Sequence, residues 1–77
     1  MTYDARCKFA ENILRIMQEK SITSKELATR IGGSTVMISQ WINCHHAPRL
    51  ENLAALAIAL GVSVSDLLKD IDLGELV

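Results

Sequence analysis

Residues 24–43 read SKELATRIGGSTVMISQWIN, and the break at Gly32-Gly33 divides the stretch into two short helices. Thr23-Ser24-Lys25-Glu26 has the form of a capping box: Thr23 accepts a first-turn N–H, and Glu26 reaches back to the cap. The helix it starts runs to about Ile31. Gly32 stops it, because glycine accepts the left-handed conformation that follows a helix end. Ser34 caps the next helix, Thr35 to about Asn43. At roughly 100° per residue, Ile38, Trp41 and Ile42 share one side of that helix while Val36, Ser39, Gln40 and Asn43 share the other. One side packs and the other is left to contact something. Ala28 is small enough for a close crossing of the two helices, and Leu27, Ile31, Ile38 and Trp41 seal the pair.

The same periodicity extends outward in both directions. A first helix is expected over about Asp4 to Lys20, with Phe9, Ala10, Ile13, Ile16 and Met17 facing inward. A fourth, Leu50 to Leu60, is apolar on almost every side and reads as a central core element ended by Gly61. Ser63-Val64-Ser65-Asp66 caps a last short helix around Leu67 and Leu68. No apolar residues alternate in the manner of a strand, so the fold class is all-α, with five helices. The 77 residues suffice for one domain, with a core over about residues 9–68 and a tail over 70–77. Only three aromatics occur, so that core is aliphatic.

Composition removes several function classes. No apolar run approaches the ~18 residues of a membrane span. The opening residues MTYDARCKFAEN lack the basic flank and apolar stretch of a signal peptide, so a cytoplasmic location is expected. In that setting Cys7 and Cys44 are expected to be free, buried thiols. Cys44-His45-His46 lacks zinc-site spacing and reads as a solvated loop, so no metal or other cofactor is expected. No nucleophile with a base, carboxylate pair or phosphate loop points to an enzyme. Formal charge divides unevenly: residues 1–50 hold seven Lys/Arg against four acids, a net of +3, and residues 51–77 hold Lys69 against five acids, a net of −4. A mildly basic half is compatible with phosphate contact.

The stretches ITSKELATRIGGSTVMISQW, the Pro48-Arg49-Leu50-Glu51-Asn52-Leu53 helix opening, and ALGVSVSDLL together resemble the lambda-repressor-like, or XRE-type, helix-turn-helix family of phage repressors, Cro proteins, controllers and antitoxins. The resemblance covers roughly Phe9 to Leu68. It implies a compact five-helix domain that sets its third helix in the major groove of double-stranded DNA. It also implies base-edge roles for Thr35, Val36, Ser39 and Gln40, and phosphate contacts for Ser24, Asn43 and Arg49. The side chains suit those roles, since Gln pairs with adenine, Val packs on a thymine methyl and a hydroxyl at a helix start suits phosphate.

The chain departs from the family pattern in three ways. Met17 and Ile42 stand where many members bury an Arg–Glu pair, Arg49 stands where many place a Ser or Thr cap, and Cys44 replaces a frequent glycine. The expected function is a small transcriptional regulator, a repressor acting as a homodimer on a pseudo-palindromic operator, with no small-molecule ligand. Dimerisation is assigned to the last helix and tail, because Leu67, Leu68, Ile71, Leu73 and Leu76 exceed what a small core needs. The alternative is a protein-interaction module of the same fold, such as an antitoxin.

Overall fold

In the computed structural model, which describes residues 3–46 and 48–71, five helices follow one another: α1 (Tyr3–Lys20), α2 (Ser24–Ile31), α3 (Thr35–Ile42), α4 (Leu50–Leu60) and α5 (Val64–Leu67). No strand occurs among the described residues. Each boundary has a local cause. Thr23 accepts the Glu26 N–H at 3.1 Å, and Ser34 accepts the Met37 N–H at 3.2 Å. Each cap satisfies one of the N–H groups that a first turn leaves without an intrahelical acceptor. Gly32 and Gly61 close α2 and α4 in the left-handed region, both at φ 70°.

The box at Thr23 is half made, because the Glu26 carboxylate takes the Thr23 hydroxyl at 3.3 Å instead of the backbone N–H. At Ser63 both halves form, and Asp66 accepts the Ser63 N–H at 3.1 Å. Arg49 precedes α4 without any side-chain cap bond, as its departure from a hydroxyl implies.

The helices enclose one mainly aliphatic core, in which Ile13, Leu27, Ile38, Leu56 and Leu67 are fully buried together with the aromatic Phe9. Each such side chain contributes about 1.5–3 kcal/mol on removal from water. α1 is the common support: it packs on α3, α4 and α5, while α2 packs on α3 and α4. Met17 lies in the core and Ile42 is partly buried against that core, so apolar burial serves at both positions without the desolvation cost of a charge. Asn12 is a buried polar residue of α1, and its amide donates to the Leu67 carbonyl at 2.9 Å and to the Lys69 carbonyl at 3.0 Å. One side chain thus holds the carbonyl end of α5 on α1.

Three expectations need correction. Cys7 and Cys44 are not free thiols; they form a disulfide with 4.8 Å between their Cα atoms. The folded chain brings the start of α1 beside the exit from α3, a proximity that no local sequence pattern encodes. α4 is not apolar inward on nearly every side: Glu51, Ala54 and Ile58 form a solvent-facing stripe, with Ile58 81% exposed. α1, α2 and α5 cover the other sides, and among the described residues the stripe stays exposed. α3 ends at Ile42 with Asn43 as its C-cap, in keeping with the expected end near Asn43. Lastly, Leu67 is 0% exposed and Leu68 and Ile71 pack against the core, so these three are not surplus apolar residues. Leu73 and Leu76 lie outside the described residues.

Candidate nucleic-acid interface

α3 owes its stability to its inner side, where Ile38 and Trp41 are buried. That packing fixes what the outer side presents. Thr35, Val36, Ser39 and Gln40 are all exposed there, and Val36 is 66% exposed. With Ser24 and Asn43 they line one shallow, open concavity, completed by Ile42 and His45. Six of the seven residues singled out in the sequence therefore meet on one surface. Arg49 is exposed at the start of α4 and does not line the concavity.

The polar groups of this surface are unequally committed. The Asn43 amide donates to the Ser39 carbonyl at 2.8 Å and to the Ser39 Oγ at 3.0 Å. Its donors are engaged within the helix end. Because Ser39 Oγ accepts that bond, its own O–H is directed to donate elsewhere. The first-turn N–H groups of α2 and α3 add donors, and helix starts of this kind favour anions.

His45 belongs to the surface, although the sequence reads it as part of a solvated loop. The signal that could have found it is its position just past a helix whose outer face is polar. Arg6 was also missed: its guanidinium donates to the His45 carbonyl at 3.1 Å, which brings a cation from α1 to the same edge. The basic character of the first half is less concentrated than its net charge implies. Lys20 and Arg30 donate to the Gly61 and Ala59 carbonyls at 3.4 and 2.9 Å, so they serve the C-terminal end of α4. Arg15 pairs with Glu19 on the same helix.

Cys44 adopts φ 65°, a left-handed conformation that glycine takes readily. The exit from α3 is therefore a glycine-like turn with a cysteine at its bend.

A packed helix pair with a left-handed glycine between, and a second helix presenting hydroxyls, an amide and one aliphatic group outward, is a surface suited to the major groove. Residues 12–72 match the model of the Cro/C1-type HTH DNA-binding domain. The chain belongs to that family. No curated protein and no solved structure matches the chain. As a Cro/C1-type domain it is a DNA-binding module, with α2 and α3 as its helix-turn-helix. Among the described residues no helix is long and apolar enough to cross a membrane.

Proposed function

We propose that this Cro/C1-type domain is a sequence-specific transcriptional repressor that binds a pseudo-palindromic operator as a homodimer in the cytoplasm. The observation that carries the reading is the outer face of α3, where Thr35, Val36, Ser39 and Gln40 are exposed together on a helix whose other side is locked in the core. In this reading Gln40 makes paired hydrogen bonds to adenine, Val36 lies on a thymine methyl, and Thr35 and Ser39 contact adjacent base edges. Ser24, Asn43 and Arg49 hold phosphates on either side. For Asn43 this requires the amide to exchange at least one of its bonds to Ser39 for a phosphate oxygen.

One such helix reads too few base pairs to single out an operator, and pairing doubles the site. A shallow groove lined by Val64, Ser65, Leu68 and Ile71, in which Val64 is 38% exposed and Leu68 and Ile71 are only partly covered by the core, supports pairing through α5 and the tail. Selection of bound duplexes from a random pool tests the whole reading. The expected outcome is two inverted half-sites about 10 base pairs apart, centre to centre. Enrichment of single, unpaired half-sites overturns the dimer, and no enrichment at all overturns sequence-specific binding.

A further inference from the structure

Cys7, near the start of α1, and Cys44, just beyond the end of α3, are joined across 37 positions of the chain. The bond connects the helix that supports the core to the backbone that finishes the DNA-facing helix. That backbone is tightly interlocked. Cys44 N–H donates to the Trp41 carbonyl at 3.3 Å, and the N–H groups of His45 and His46 both donate to the Gln40 carbonyl, at 3.0 and 3.2 Å. Arg6, next to Cys7, holds the His45 carbonyl from the other side. Fixing Cys44 thus fixes the last turn of α3, including the backbone of Gln40 and the place of His45 on the candidate interface.

Two further observations bear on what the bond does. Both cysteines are half-buried, so the sulfurs are not sealed in the core. Cys44 also holds a left-handed φ that residues other than glycine adopt reluctantly, and without a tether that turn has reason to relax. DNA, moreover, resides in reducing compartments, where disulfides that do form are mostly transient, catalytic or redox-sensing.

We propose that Cys7 and Cys44 form a thiol–disulfide switch on DNA binding: oxidation clamps the exit of α3 in its DNA-competent arrangement, and reduction releases it. The proposal rests on the DNA-binding reading above. The oxidant is a small-molecule disulfide of the glutathione class. One cysteine thiolate attacks it and releases one small thiolate, leaving a mixed disulfide; the second cysteine thiolate attacks that bond and releases the other. Two cysteine sulfurs are oxidised, one external disulfide is reduced to two thiols, and the two cysteine protons pass to them. Reduction by a dithiol runs the same exchange backward. The packing of α1 against α3 does not depend on the bond, since Phe9 and Ile13 of α1 and Ile38 and Trp41 of α3 are buried in the shared core, so the fold persists in both states.

The test compares protein oxidised with glutathione disulfide, protein reduced with dithiothreitol, and the Cys7→Ser, Cys44→Ser double variant. The probes are duplexes enriched from a random pool by the oxidised protein. If the unclamped loop holds the competent arrangement about one-tenth of the time, the reduced protein and the double variant bind about tenfold more weakly than the oxidised protein. Re-oxidation restores affinity to the wild type and not to the variant, while helix content by circular dichroism is unchanged throughout. Equal affinity in the two states, or tighter binding by the reduced protein, overturns the switch. Loss of helix content on reduction also overturns it, because the bond then holds the whole fold. If neither state enriches any duplex, the DNA-binding reading fails and takes the switch with it.

Discussion

α3 and α4 each expose a β-branched aliphatic residue to solvent, Val36 at 66% and Ile58 at 81%, yet only one of them belongs to a candidate interface. The difference lies in their neighbours. Around Ile58 the nearby polar groups are already paired: Lys20 and Arg30 bond the carbonyls of Gly61 and Ala59, and α4 ends there in a closed turn. Around Val36 stand Thr35, Ser39 and Gln40, on a surface shared with the start of α2. An exposed apolar residue is common on any protein surface and says little. Polar groups able to bond outward beside it are what make a reading surface.

The largest expected effect tests whether α3 depends on its inner side. Ile38→Ala removes a fully buried side chain and should cost about 3 kcal/mol of stability, read as a lower urea midpoint with an unchanged slope. A cost below about 1 kcal/mol would mean that the helix is not fixed by the core and does not hold a rigid face.

Gln40→Ala tests the comparison directly. It should weaken binding to the selected operator by about 1–3 kcal/mol per half-site while leaving binding to unrelated DNA nearly constant. Ile58→Ser should leave both affinities unchanged and shift stability by no more than about 0.5 kcal/mol. An operator defect from Ile58→Ser as large as that from Gln40→Ala would erase the distinction between the two surfaces.

Val36→Ala should cost about 1 kcal/mol per half-site, the worth of its lost apolar contact, again without changing non-specific binding. Substituting uracil for thymine in the operator removes the methyl group from the DNA instead. Equal binding of both operators at every thymine would place Val36 beside Ile58, as an exposed residue with no reading role. Arg49→Ala is the mildest change. It should flatten the dependence of log affinity on log salt by about one unit per half-site and leave the order of preferred sequences fixed. A changed order would move Arg49 from the phosphates to the bases.

What could be read from the sequence was local. Thr23, Gly32, Ser34, Gly61 and Ser63 act on the backbone within a few residues of themselves, so the helix boundaries follow from the chain in order. The outer face of α3 follows from helical period within one eight-residue element. What could not be read depends on the distance between parts of the chain. The Cys7–Cys44 bond and the Arg6 contact with His45 require α1 to lie along the exit of α3. The exposure of Ile58 depends on which sides of α4 are covered by three other helices. The roles of Leu68 and Ile71 depend on where the chain after α5 turns, at Asp70 with φ 63°.

The Asn12 amide sets a limit on how short the folding domain can be. Both of its described acceptors, the carbonyls of Leu67 and Lys69, lie beyond the last residue of the helix-turn-helix and beyond α4. A chain cut after Gly61 would retain every residue of the candidate interface but lose part of the core: the amide would stay in the interior without these acceptors, at about 1–3 kcal/mol, and the place of Leu67 would be empty. The smallest autonomous unit therefore runs past Lys69, and a fusion or affinity tag at the C-terminal side is tolerated only when joined after that point.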